Sequence, residues 1–268
     1  MIRLPDISLP KAAAQQLVSW QAELDALPSY PERVEAAKRL FQQRNTARNR
    51  TFAEIRRQLA ALCSGPQRCG YCEDSAADEV EHILPKDLYP ELVFAWRNYL
   101  YACGPCNGPK NNQFAVFPAR ARKPVEVSRA HGDPVKPPRK GEPVLIDPRG
   151  EDPMDFLILD LRDTFRFMPR GRSGSSDYER ADYTLRILQL NREPLMVARA
   201  GAFRAYNALL FEYITLRERG TPRSKLQLRI QAIQRAVHPT VWQEMKRQRR
   251  DFPELRPLFR KAPEALAW

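Results

Sequence analysis

The chain has 268 residues, of which 43% are hydrophobic and 28% charged; this is enough apolar material for one large or two modest folded domains and excludes a disordered chain. Its net charge of +12, with a sequence pI near 9.7, favours a polyanionic partner through phosphate contact and counterion release. No apolar run reaches the roughly 18–20 residues that span a bilayer, and the opening Met1-Ile2-Arg3-Leu4-Pro5-Asp6 lacks the basic-then-apolar layout of a signal peptide, so a cytoplasmic protein without a membrane partner is expected.

In chain order, residues 10–27 and 31–63 are predicted helical. Pro31 takes a first-turn position after Ser29, and Phe52, Ile55, Leu59 and Leu62 recur at helical spacing as a packing stripe. Arg44, Arg48, Arg50, Arg56 and Arg57 decorate the same segment, either as a solvated face or as a face that tracks phosphates. Residues 66–114 hold most of the chemistry-bearing side chains. Residues 118–143 contain seven Lys/Arg against three acids and six prolines, which predicts an extended basic linker or wrapping arm. Val144–Pro148 reads as a short strand, and Phe156–Leu161 with Thr164–Met168 as a hairpin around Arg162-Asp163. From Tyr178 the pattern is helical to the end, with breaks near Asn191, Gly220-Thr221-Pro222 and His238-Pro239.

Four of the five cysteines form two Cys-x-x-Cys pairs, Cys69/Cys72 and Cys103/Cys106, with 30 residues between them; Cys63 is left over. In a reducing compartment such pairs are metal ligands rather than disulfides. Four thiolates close a tetrahedron around Zn²⁺ and leave no open position, so the zinc is structural and staples whatever lies between the knuckles. Binding on the order of 10 kcal/mol makes the ion decide whether the segment folds.

Between and beyond the knuckles run Glu81-His82-Ile83-Leu84-Pro85-Lys86, Trp96-Arg97-Asn98-Tyr99-Leu100 and Cys106-Asn107-Gly108-Pro109-Lys110. This arrangement resembles the HNH, or ββα-metal, nucleases, in which two strands and a helix grip one divalent cation. The resemblance implies that Glu81 is the acidic ligand of a catalytic Mg²⁺ or Mn²⁺ and His82 the general base. It implies that Asn98 pins the loop that orients the histidine, that Asn107 is the second ligand at the helix start, and that Lys110 lies near the backbone phosphate. The residue types suit phosphodiester hydrolysis: an imidazole can deprotonate water near neutral pH, and a hard cation prefers carboxylate and amide oxygens. Two positions depart from the commoner pattern, Glu81 where Asp is usual and Asn107 where His is usual.

Tyr89-Pro90, Phe94-Ala95-Trp96, Ile146-Asp147-Pro148, Asp152-Pro153 and Leu188-x-Leu190-Asn191-Arg192 extend the likeness to HNH subunits of Septu- and retron-type anti-phage systems, which implies an ATPase partner. The expected fold is α+β and mainly helical. N-terminal helices (1–64) precede a zinc-stapled ββα-metal (HNH) module (65–117). A basic proline-rich arm (118–143) then leads to a C-terminal, mainly helical region with a short hairpin (144–268). The expected function is a DNA endonuclease in phage defence, with RNA left open as a substrate. The alternatives are a stand-alone restriction- or homing-type enzyme and a zinc-ribbon nucleic-acid binder with an inactive finger. Arg44, Arg48, Arg120, Arg122 and Lys123 are the expected phosphate contacts.

Overall fold

The computed structural model describes residues 1–121 and 123–268. It is α+β, with helices in about half of the chain and small antiparallel sheets. No helix is long and apolar enough to cross a membrane.

The N-terminal part holds three helices, α1 (Lys11–Asp25), α2 (Tyr30–Arg44) and α3 (Arg50–Leu62). Ser29 caps α2 by accepting from the Glu32 amide at 3.4 Å, with Pro31 in the first turn, where its missing N–H costs nothing. The single helix expected over 31–63 is two. Asn49 adopts extended backbone and its Oδ1 accepts from the Phe52 amide at 3.1 Å, so a new helix starts there. The stripe Phe52, Ile55, Leu59 and Leu62 is buried, as its spacing implies.

Strands β1 (Glu79–His82) and β2 (Tyr99–Ala102) pair antiparallel, with Glu81 opposite Leu100 and His82 opposite Tyr99, and α4 (Gly104–Lys110) follows directly. Alternation along the strands gives this hairpin two apolar faces. Val80, Tyr99 and Tyr101 join Leu17, Leu24, Phe41 and Phe52 of the N-terminal helices in one core. Leu100 and Ala102 join the four knuckle cysteines and the C-terminal helices in the other.

The basic arm is extended, and parts of it are paired. Strand β3 (Ala115–Phe117) lies between β4 (Val125–Glu126) and β5 (Glu142–Pro143). The strand expected over 144–148 begins and ends earlier, at β5, although the Val144 amide still donates to Ala115 O at 3.0 Å. The expected hairpin is present as β6 (Leu157–Leu159) with β7 (Phe167–Pro169).

The C-terminal helices are α5 (Ser176–Ile187), α6 (Glu193–Glu218), α7 (Arg223–Gln234), α8 (Pro239–Gln248) and α9 (Leu255–Lys261). The 26-residue α6 packs against α7, α8 and α9 through Leu195, Ala202, Tyr206, Leu210 and Tyr213. Asn191 holds the turn before α6 to β7, and Arg149 ties the C-terminal region to β2. Asn191 pairs with both backbone groups of Phe167, each at 2.8 Å, and Arg149, buried against the Trp96 ring, donates to Tyr99 O at 2.8 Å.

Candidate zinc cluster and adjoining cleft

Cys69 and Cys72 lie in the turn before β1, and Cys103 and Cys106 in the turn that opens α4. All four are buried, and their sulfurs lie within 4.8 Å of one another. A Zn–S length of about 2.3 Å puts tetrahedral sulfurs about 3.8 Å apart, and Cys72 Sγ and Cys103 Sγ stand 3.8 Å apart. The donor set and its size therefore fit one zinc ion. Cys63 stands outside the cluster. Its thiol donates to Leu59 O at 3.3 Å, and burial pushes its pKa up to about 12. Sequence reasoning missed one neighbour, Arg192, whose guanidinium nitrogens approach Cys106 Sγ at 3.6 and 3.7 Å. It supplies positive charge beside a cluster whose metal-bound form carries excess negative charge.

Beside the cluster, on the open edge of β1, is a cleft of about 530 Å³. Its lining includes Glu79, Glu81 and His82 of β1, Asn107 of α4, Arg56 of α3 and the loop residue Lys86. Three of the expected site residues, Glu81, His82 and Asn107, thus meet at one opening.

His82 is buried with its ring in edge contact with Phe41 and Tyr99, at centroid separations of 4.5 and 5.2 Å. Its Nε2 lies 3.0 Å from Val93 O. A carbonyl oxygen only accepts, so Nε2 carries the proton and Nδ1 holds a free lone pair. Among the described residues Nδ1 has no hydrogen-bond partner. Burial, reinforced by the Lys86 charge, pushes the imidazole pKa down to about 3, so the ring is neutral throughout the physiological range.

Asn98 lies beneath this arrangement and is not part of the cleft lining. Its Oδ1 accepts from the Leu84 amide at 2.8 Å, and its Nδ2 donates to Leu84 O and Leu92 O at 3.0 Å each. It therefore pins both ends of the loop whose Val93 carbonyl holds His82.

Lys110, expected near a phosphate, is not among the cleft-lining residues. It is completely buried, and its ammonium meets Glu81 Oε1 and donates to His82 O at 2.8 Å. The lysine braces the carboxylate from below and leaves Glu81 Oε2 without a partner among the described residues. Asn107 donates its Nδ2 to Glu79 Oε2 at 2.6 Å, and Glu79 is a cleft carboxylate to which the sequence reading assigns no role.

The expected phosphate contacts scatter. Arg44 pairs with Glu23 and stacks over the Trp20 and Phe94 rings at 4.8 and 5.1 Å, away from the cleft lining. Long-range aromatic packing of this kind leaves no mark in a local charge pattern. Arg48, Arg120 and Lys123 are exposed and are not among the cleft-lining residues, and Arg122 lies outside the described residues. The cations at the cleft are instead Arg56, which donates to Asn45 Oδ1 at 2.5 Å, and Lys86, 5.8 Å from the Phe41 ring centroid.

Over 137 residues the chain is 32% identical to the protein named Septu protein PtuB of Bacillus thuringiensis. The match covers 49% of this chain and 51% of the relative, so the chain spans about half the length of the curated relative it matches. No family model matches the chain. No solved structure matches it.

Proposed function

We propose that the chain is a metal-dependent HNH-type endonuclease that hydrolyses DNA phosphodiester bonds as the nuclease effector of an anti-phage defence system, working with an ATPase partner. The observation that carries this reading is the meeting of His82, Glu81 and Asn107 at one cleft, with the histidine held in the tautomer that offers Nδ1 as a base. The likeness to Septu protein PtuB supports the defence setting.

The donor set fits a hard divalent cation. Glu81 Oε2 and Asn107 Oδ1 are oxygens without partners among the described residues, on side chains that line the cleft. When bound there, Mg²⁺ or Mn²⁺ would supply charge for the phosphate oxygens and the leaving oxygen. His82 accepts a proton from water at Nδ1, while Nε2–H stays on Val93 O and fixes the ring plane. An anionic phosphodiester beside Lys86 offsets the field that depresses the imidazole and so strengthens the base. Lys110 holds the Glu81 carboxylate in place, and Arg56 and Lys86 hold the phosphate backbone at the rim. The zinc cluster fixes the start of α4, and with it Asn107, relative to β1.

Incubation of zinc-loaded protein with plasmid DNA and Mg²⁺ or Mn²⁺, alone and with an ATPase encoded beside it, tests the reading. Cleavage that EDTA stops is expected. Tight DNA binding with no cleavage under any of these conditions would instead make the chain a zinc-ribbon binder.

A further inference from the structure

Glu79 and Glu81 alternate along β1 and so project from the same face of the strand, towards α4. Only Glu81 has a lysine beneath it. Glu79 takes its hydrogen bond from the side-chain amide of Asn107, Nδ2 to Oε2 at 2.6 Å, and both residues line the cleft.

An asparagine amide has a donor end and an acceptor end of nearly equal size, and only the oxygen can ligate a cation. A carboxylate is an acceptor alone, so Glu79 can engage only the Nδ2 end. The bond is charge-assisted, and turning the amide over would replace it with a contact between oxygens. Asn107 Oδ1 is left without a hydrogen-bond partner among the described residues, on a side chain that faces the opening.

We propose that Glu79 is a positioning residue that holds the Asn107 amide with Oδ1 presented to a cleft cation. The inference rests on the reading of Asn107 as a ligand. The amide's two-way ambiguity is removed by a neighbour that accepts only.

The test is direct Mn²⁺ binding to the zinc-loaded full chain without DNA, followed by the loss of the free-ion signal in electron paramagnetic resonance. Glu79→Gln removes the charge and keeps an oxygen that accepts from Nδ2 in one of its two amide orientations, an ambiguity that costs about twofold, whereas Glu79→Leu removes the charge and the acceptor together. Glu79→Gln is expected to stay within about threefold of wild type, and Glu79→Leu to lose about 10–100-fold, the usual cost of deleting a ligand's orienting partner. Zinc content and thermal melting verify the fold of each variant, and Glu79→Ala serves the same test should leucine disturb packing against α4. Wild-type affinity in the leucine and alanine variants overturns the proposal. A glutamine variant as weak as leucine also overturns it, because Glu79 would then act through its charge. Wild-type protein whose Mn²⁺ binding is unchanged by Asn107→Leu overturns the ligand reading itself, and this inference with it.

Discussion

Lys110 sets its ammonium on the Glu81 carboxylate with its own side chain wholly buried and that of Glu81 only 9% exposed. Removing one member of a buried pair leaves the other uncompensated, which typically costs about 3–5 kcal/mol. Lys110→Met is therefore expected to lower stability by about 3 kcal/mol in metal-free buffer, read by urea unfolding. Mn²⁺ should raise the melting temperature of this variant more than that of wild type, because the cation replaces the lost positive charge. Equal shifts would place the cation away from Glu81.

The Arg192 guanidinium beside Cys106 makes a second claim measurable. One zinc per chain is expected, and Cys69→Ser should lose it. Arg192→Ala should keep the zinc but release it to a chelating dye about tenfold faster or more, since outer partners of metal ligands typically contribute 10–100-fold in affinity. Undiminished zinc in Cys69→Ser would defeat the four-cysteine assignment.

Acid should unfold the protein partly through His82. An unfolded histidine takes up its proton near pH 6.5, whereas burial holds the folded pKa at about 3. The stability from keeping the ring neutral is thus fully present above pH 6.5 and is lost as pH falls from there towards 3. Between pH 7 and 5 wild type should lose on the order of 2 kcal/mol more than His82→Gln, any effect of zinc release being common to both. Parallel denaturation curves for the two proteins at both pH values would contradict this burial.

If Arg56 and Lys86 hold the DNA backbone, replacing either with alanine should shallow the slope of log affinity against log salt by about 1. Arg44→Ala should leave that slope unchanged and lower the melting temperature instead, because Arg44 packs on Trp20 and Phe94. A salt slope that responds to Arg44 and not to Arg56 would reverse this assignment.

What the sequence revealed and what it hid follow the range of the interactions involved. The knuckle cysteines stand out by their Cys-x-x-Cys spacing, whereas Glu81, His82 and Asn107 were singled out through the family resemblance, and the structure brings them to one cleft. The breaks at Gly220-Thr221-Pro222 and His238-Pro239 were legible because backbone chemistry acts locally. The direction of the Lys110 side chain was not, because a basic residue in the last turn of a helix can face solvent or the strand beneath. The packing of Arg44 was hidden because the rings it stacks on come from α1 and from the loop before β2. Glu79 drew no attention because its meaning depends on the amide of Asn107, 28 positions away.

The hydrolysis proposed for this cleft depends on His82. Cleavage of plasmid DNA by zinc-loaded wild type and His82→Ala, at matched DNA binding and with purified protein free of contaminating nuclease, tests it most directly. Loss of the base should lower the rate by about 10²–10⁴ while binding changes little, since the base acts on water in the transition state. High Mn²⁺ should restore part of the activity of Asn107→Ala and none of that of His82→Ala. A His82→Ala protein that cuts at the wild-type rate would place the active centre elsewhere and leave the cleft as a binding surface.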